Sequence, residues 1–477
     1  MTLLRACIAT LGLALASGGA AAQADADKGW PAGERLVSKY RAGKFAEVIA
    51  EAPEVLKAEP WNDELRLALA NSLLWTGREW QAVGHFDKLL ESRQAVAARL
   101  GMANGLAWTG RMDQALPHYQ AVMDDSAFWD LYRRAEKGEV PVFPTPSDAA
   151  QRNEAKLGMA NALRWMNRAD RAHPLYLQLR ASHPTSDVGE EGEFFARREL
   201  RARTTFNMGY SQDNTPMRRF EPLVSHQWRN DAKNVIFYLE GTGGHDWDDR
   251  RDLDRRDVTF RVEGLDLPLS PRLSVTQQND PERTTFGDLR LQVTGWPLYV
   301  SAGRVNWGKL AFTTDALDLG LTANRYGVNG NYQIAWGELR GFYNHFDISD
   351  DNRVDAADVR LALREWRPLG KEIKPFVGVN WRSASRTVPE YWSPQTYGLG
   401  YVGLEGEWER REWYFFALGQ VGFKLAGEAS TAWGASLIAK RWIGRDWSVG
   451  VNAYALGGTR TDNYRAEGVN LIVEKLW

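Results

Sequence analysis

The sequence predicts an α + β two-domain chain: an N-terminal α-solenoid of helical hairpins, then a 16-stranded antiparallel transmembrane β-barrel. Three observations predict it. The apolar period is helical up to about residue 200 and alternates strictly thereafter. A turn motif recurs through the first part. The second part carries charge on every other residue, strand after strand, in a chain with 21 Trp, 16 Tyr and 18 Phe.

The N-terminus sets the compartment. Arg5 precedes an apolar run from Ala6 to Ala16, followed by the small residues Ser17, Gly18, Gly19, Ala20, Ala21 and Ala22. A charged start, a short apolar core and an A-x-A site make residues 1–22 a secretory signal peptide. The single cysteine, Cys7, falls inside it. The mature chain therefore holds no disulfide framework and no Cys-based zinc site. The net charge of −2 leaves no basic footprint for nucleic acid. Mean hydropathy is −0.46, and no mature stretch approaches 18 apolar residues. This excludes a multi-helix membrane protein but not a barrel, whose alternating strands average out as polar.

Residues 30–199 read as the helical domain. Leu73-Leu74-Trp75-Thr76-Gly77-Arg78 recurs as Leu106-Ala107-Trp108-Thr109-Gly110-Arg111, and in worn form as Leu163-Arg164-Trp165-Met166-Asn167-Arg168. A weaker copy centres on Gly43. Ala70, Ala103 and Ala160 stand seven residues before the turn residue. Ala82, Ala115 and Ala172 follow it, and then Phe86, Tyr119 and Tyr176. A turn glycine ends one helix, paired alanines let two helices approach, and an aromatic fills the gap to the next pair. His85 and His118 occupy equivalent positions, which favours structural placement over catalysis. Between the second and third copies lies an insertion with Pro141, Pro144 and Pro146. The spacing resembles the tetratricopeptide repeat, and that resemblance implies a concave face for a partner.

Residues 200–477 read as sixteen strands, with cores from 203–211 to 464–477. Turns after even strands are short, among them 230–233, 296–297, 336–337, 410–411 and 443–446. The segments after odd strands read mostly as longer, more polar loops, among them 242–256, 306–320, 348–355 and 383–396. An even strand count with asymmetric rims is the outer-membrane pattern, and one chain closes one barrel. Val258, Phe260 and Val262 should face lipid, with Arg261 and Glu263 in the lumen. Leu289, Leu291 and Val293 alternate with Asp288 and Arg290, and Val359, Leu361 and Leu363 with Asp358, Arg360 and Arg364. In the last strand Val469, Leu471, Val473 and Trp477 share a face, with Lys475 near the rim. Trp296, Trp336, Trp366, Trp408, Trp413, Trp442 and Trp447 cluster beside the short turns, as an interfacial girdle does.

No metalloprotease, nucleophile-elbow, P-loop or dinucleotide motif sits in suitable context, so no enzyme, cofactor or metal site is expected. The aspartates around 246–257 offer oxygen ligands for calcium, but their interleaved arginines fit mutually paired charge better. The lumen is the candidate site. Glu405, Glu407 and Glu409 form an inward acidic ladder, opposed by Arg261, Arg290, Arg360, Arg364 and Arg382; such charges set pore selectivity. The segment 306–320, with Leu310, Phe312 and Leu317, is the candidate gate or plug.

Signal peptide, helical repeats and barrel in one chain resemble the outer-membrane exporters of secreted polysaccharides, in plan the poly-N-acetylglucosamine export porin and the outer-membrane subunit of cellulose synthesis. The turn Leu106-Ala107-Trp108-Thr109-Gly110-Arg111 and the first strand Phe206-Asn207-Met208-Gly209-Tyr210-Ser211 carry the resemblance. Those exporters have much longer helical arrays; the smaller YaiO-type barrels are also similar. The resemblance implies a porin passing a linear polysaccharide outward, with the helical domain in the periplasm binding the polymer or a synthesis or modification protein. A plugged barrel acting as anchor or receptor, and an enzyme built on one rim, remain the alternatives at this stage.

Overall fold

The computed structural model describes residues 31–477 apart from 141, 184–186, 266, 268, 280–282, 294–296, 335–336, 364–372, 411 and 461–462. The signal peptide lies outside the described residues, as do Pro141, Arg364, Trp296, Trp336 and Trp366. Two compact units emerge, residues 1–197 and 198–477.

In the first unit α1 (Ala32–Arg41) pairs with α2 (Phe45–Ala58), and α3 (Asp63–Trp75) with α4 (Glu79–Asp87). Then α5 (Ala95–Trp108) pairs with α6 (Met112–Met123). The insertion forms α7 (Ser126–Glu136), and α8 (Ala149–Trp165) pairs with α9 (Ala169–Ser182) before α10 (Glu190–Leu200). Each hairpin turns on one left-handed residue: Gly43 (φ 74°), Gly77 (86°), Gly110 (84°) and Asn167 (62°). Asparagine is the side chain that best tolerates this region, so the worn copy keeps the geometry. The residue after each turn donates to a carbonyl five residues back: Lys44 to Lys39 (2.9 Å), Arg78 to Leu73 (2.8 Å), Arg111 to Leu106 (2.9 Å) and Arg168 to Leu163 (2.9 Å). This is the Schellman closure that satisfies a helix's last carbonyls.

Stacking of hairpins rests on an interlock that the sequence reading half saw. The buried rings of Phe86, Tyr119 and Tyr176 lie on Gly101, Gly158 and Gly192 of the following repeat. A Cβ on those glycines would stand 2.3, 2.4 and 2.4 Å from ring carbons. The glycine spacing repeats the turn spacing, so α10 starts a further repeat unit. Tyr119 donates to Asn104 Oδ1 (2.8 Å) and Tyr176 to Asn161 Oδ1 (2.6 Å), satisfying both buried hydroxyls. Asn104 in turn donates to Glu154 (3.0 Å). Burial pushes the Glu154 carboxyl above its ordinary range; the Asn104 hydrogen bond opposes this and the Asp148 charge adds to it. His85 and His118 are held below the usual imidazole range, chiefly by burial.

In the second unit sixteen strands run β1 (Arg203–Asp213), β2 (Arg218–Arg229), β3 (Val235–Trp247), β4 (Asp252–Gly264), β5 (Arg272–Gln278), β6 (Thr284–Gln292), β7 (Leu298–Asn306) and β8 (Thr322–Ile334). The order continues β9 (Gly337–Ile348), β10 (Arg353–Leu363), β11 (Ile373–Ala384), β12 (Tyr397–Glu409), β13 (Trp413–Gly427), β14 (Ala432–Ile443), β15 (Trp447–Gly457) and β16 (Arg465–Leu476). Each strand pairs antiparallel with its neighbours, and β1 closes on β16 from Arg203↔Leu476 to Asp213↔Ala466. Both barrel termini therefore lie on the rim of the even-strand turns, called here the turn rim; the other rim is the mouth. Trp477 Nε1 donates to Thr204 Oγ1 (2.8 Å), and Arg201 Nε to the Trp477 carbonyl (2.9 Å).

The outer face exposes Phe206, Met208, Val224, Leu239, Val258, Phe260, Leu289, Val359, Val402, Leu437, Val451, Val469 and Leu471. Exposed apolar side chains around a whole closed sheet are a lipid-facing belt, not a soluble surface. Trp408, Trp413 and Trp447 stand on this face at the turn rim, with Trp413 stacked on Phe415 (5.2 Å). Trp442 does not join them. Its position alternates with the exposed Leu437 and Ile443, and it is capped from the other side by the Arg198 guanidinium at 3.9 Å. Tyr210, Tyr326, Tyr343, Trp381 and Trp433 are exposed toward the mouth and make a second girdle.

Loop lengths correct the sequence reading. Segment 242–256 is mostly strand, with a turn only at 248–251, and 348–355 is half strand, with a turn at 349–352. Their aspartates and arginines alternate inside and outside extended strands, so high charge was mistaken for loop. The long excursions of the mouth are 307–321 and 385–396.

Two outcomes test the helical unit. Gly158→Ala should destabilise it by about 1–2 kcal/mol, because overpacking against Tyr119 (~1–3 kcal/mol) outweighs alanine's ~1 kcal/mol helix preference. Denaturant unfolding of the full-length protein, followed at 222 nm, measures this. The raised Glu154 carboxyl means the folded state favours the protonated acid, so its contribution is present at low pH and lost as pH rises through the folded value. Glu154→Gln should therefore unfold at a higher temperature than the parent at pH 7, with the gap closing toward pH 4.

Candidate transport path

Because the strands alternate, every residue between two lipid-facing ones points into the barrel. The lumen is lined by charge, and most of that charge is paired. Arg261 bonds Glu240 (3.0 Å) and lies over the Tyr238 ring at 4.0 Å. Glu263 takes Arg272 (3.0 Å) and the Tyr238 hydroxyl (3.2 Å). Asp288 pairs with Arg325. Arg290 has no carboxylate among the described residues; it donates to Asn329 (3.0 Å) and covers Tyr299 at 3.9 Å. Asp358 accepts from Tyr401 (2.9 Å) and Asn380 (3.2 Å). Arg360 pairs with Glu405 and stacks on Phe376 at 3.6 Å.

The glutamate ladder is thus not uniform. Glu405 is buried and neutralised by Arg360, while Glu407 and Glu409 are exposed toward the turn rim. Arg382 is not opposite the ladder: β11 carries it to the mouth. On the wall of β4 to β9 a cavity of about 480 Å³ is lined by Arg261, Arg272, Arg290 and Arg325 with Asp288 and Phe342.

The segment 307–321 lies across the mouth as two short helices, α11 (Trp307–Ala311) and α12 (Thr314–Asp318). Gly308 lets them touch, since a Cβ there would meet the Leu317 backbone nitrogen at 2.5 Å. One side is anchored by apolar packing: Trp307 against Phe346 (5.1 Å) and Tyr391 (5.4 Å), with Ala311, Ala316, Leu321 and Ile348 in the same cluster. Leu317 is also buried, whereas Leu310 is half exposed and Phe312 takes the left-handed conformation beneath Arg219. The other side is held by polar contacts. Lys309 bonds Glu221 (3.1 Å) and Asp257 (3.5 Å), Arg251 pairs with Asp315 and Asp318 (3.1 Å to the latter), and Thr314 bonds Asp248. Arg460 donates to the Ala311 carbonyl (3.1 Å), and Thr313 to the Glu390 carbonyl (2.6 Å). Contacts to β4 and to the loop between β11 and β12 reach opposite walls of the ring.

Beneath this segment the interleaved charges of 246–257 pair with one another, as their spacing suggested, and Arg219 and Glu221 of β2 join them. Asp246 and Arg255 are fully buried and paired (2.7 Å), Arg219 bonds Asp246, and Arg255 also reaches Glu221 (3.0 Å) and Asp257 (3.4 Å). Each buried charge is compensated, which is what its desolvation requires. Among the described residues no cluster of His, Cys, Asp and Glu is arranged to hold a metal. Asp252 and Asp254 stay outside the Asp246–Arg255 cluster and face His245 instead (3.3 and 2.9 Å).

No family model matches the chain, and no curated relative matches it. Among solved structures, a "Bacterial polysaccharide outer membrane secretin" aligns with 58% of this chain and 99% of its own at 11% identity and a TM-score of 0.47. CdiB from Acinetobacter baumannii aligns with 57% of this chain and 60% of its own at 10% identity and a TM-score of 0.36. A mutant Rh. blastica porin aligns with 58% and 99% at 11% identity and a TM-score of 0.32. All three scores are below 0.5, and the barrel is established here by its own strand pairing.

The Arg360–Glu405 pair makes a selectivity cycle. Arg360→Gln should shift the reversal potential toward cation preference and Glu405→Gln toward anion preference, with the double variant returning near the parent value. Glu407→Gln with Glu409→Gln should weaken cation preference, since no ion pair among the described residues offsets those charges.

Proposed function

We propose that the protein is a gated outer-membrane conduit for a linear polysaccharide, with its helical unit in the periplasm receiving the polymer or a partner enzyme. The single observation that carries this reading is the segment 307–321: a two-helix bridge over a polar, aromatic-lined lumen, fixed by an apolar cluster on one wall and by ion pairs on the other. Partly exposed ion pairs such as Arg251–Asp315 contribute ~0–1 kcal/mol each and break more easily than the apolar cluster. Such a segment swings on its apolar side. Below it, Tyr238, Tyr299, Phe342, Phe376, Tyr401 and Tyr454 alternate with the lipid-facing residues of their strands. Flat rings among paired charges suit the apolar faces and hydroxyls of sugar rings. Residues 43–192 supply repeated hairpins with turn geometry like that of partner-binding solenoids. No bond is made or broken in this reading.

A second reading has its own support. The buried Asp246–Arg255 cluster and the bridge above it could equally serve a permanently closed barrel acting as an anchor or receptor.

Single-channel recording of the refolded protein in a planar bilayer separates them. Arg251→Ala with Lys309→Ala should raise the open probability about five- to thirtyfold, the equivalent of ~1–2 kcal/mol from the lost ion pairs. Folded variants that stay silent would favour the plugged anchor.

A further inference from the structure

At the mouth, a second cavity of about 260 Å³ is lined by Leu310 and Ala311 of α11 and by Arg382, Trp392, Leu456, Thr459, Arg460 and Tyr464. Its two guanidiniums differ from most of the charge in the barrel, which is paired. Arg382 makes one long hydrogen bond, Nη2 to the Trp392 carbonyl at 3.4 Å, and its Nε is buried without a partner. Arg460 donates to the Ala311 carbonyl. Neither has a carboxylate partner among the described residues. Thr461 and Asp462, beside Arg460 in the chain, lie outside the described residues, so Arg382 carries the assignment. Asp213, next to Tyr464, spends Oδ1 on Thr215 and on the Met217 backbone N–H, while its Oδ2 is buried without a hydrogen-bond partner.

Both arginines converge on one indole: the Trp392 ring centre is 5.0 Å from the Arg382 guanidinium carbon and 6.0 Å from that of Arg460. Arg460 also covers Tyr464 at 4.5 Å. Two like charges around one ring in a half-buried cavity repel and are poorly solvated, and a shared anion relieves both costs. A guanidinium fork matches a planar carboxylate in two parallel hydrogen bonds, and the rings beside it offer flat surface to a sugar. In the mid-lumen cavity three of the four arginines are paired with carboxylates, and Arg290 alone has none among the described residues.

We infer that the mouth cavity binds the carboxylate of an acidic saccharide, with Arg382 and Arg460 taking the anion and Trp392 the sugar ring. The inference deepens the conduit reading and rests on it for the saccharide's arrival, not for its recognition.

The test is equilibrium binding to the full refolded chain in detergent at 0.15 M salt, by calorimetry and tryptophan fluorescence. The probes are pentagalacturonate, maltopentaose, a chitosan pentamer and inorganic phosphate. Pentagalacturonate should bind, and Arg382→Gln and Arg460→Gln should each weaken it about tenfold or more. Arg382→Lys should give an intermediate loss, and Arg445→Gln, in an exposed turn on the other rim, none. Folding of each variant is checked by heat-modifiable gel mobility; if Arg382→Gln does not fold, Arg460→Gln and Arg382→Lys decide. Four results would overturn the assignment: no binding to folded protein, equal affinity for maltopentaose, phosphate matching the pentamer, or binding indifferent to both substitutions. Intact binding with a silent bilayer would leave the site standing and remove the conduit; conduction without binding would do the reverse.

Discussion

Backbone pairing around a closed ring is the constraint on which the second unit depends. In hydrocarbon an unpaired N–H or C=O costs several kcal/mol, so a sheet crossing a membrane tolerates no free edge. The eleven-residue register between β1 and β16 removes the last edge. Everything else in the barrel follows from it. A closed sheet has one outer and one inner face, and a strand's period of two assigns each residue to one of them. The outer face then has to be apolar, and the inner one is free to carry charge.

That freedom is spent in a graded way. Toward the turn rim Glu407 and Glu409 remain open to water. In the middle, Arg261 and Arg360 lie on tyrosine and phenylalanine rings, which hold each guanidinium in place while it pairs with a carboxylate. Toward the mouth the charges become buried and mutually compensated around Asp246 and Arg255, and two arginines near Trp392 are left over. The bridging segment sits where these regimes meet. Its apolar side is continuous with the wall, and its polar side answers to charges that water, salt or an anion can compete for.

The helical unit is built on a different constraint, the close approach of successive helices. Turn residues of positive φ end each first helix, and glycine on the following hairpin receives an aromatic ring. Asn167 shows how far the pattern can drift while the backbone conformation survives. The turns were legible from Gly77 and Gly110 because their sequence neighbours repeat as well. The receiving glycines, Gly101, Gly158 and Gly192, share the same spacing but stand in dissimilar surroundings. They become visible only when the rings are seen lying on them.

By itself the sequence determined the change of period near residue 200, the sixteen strands, which face of each strand meets lipid, and the four hairpin turns. These depend on local backbone preference and on spacing along the chain, both of which are written residue by residue. Tertiary structure alone decided who neutralises whom. Arg360 meets Glu405 across an intervening strand, Arg219 and Arg255 share Asp246, and Arg382 is carried to the mouth without a carboxylate among the described residues. Such partners are set by register and barrel curvature, which bring distant positions together. Local charge density is blind to both, and it is what made 242–256 read as a loop when most of it is strand. The same limit placed Trp442 in a girdle, although alternation turns it toward Arg198.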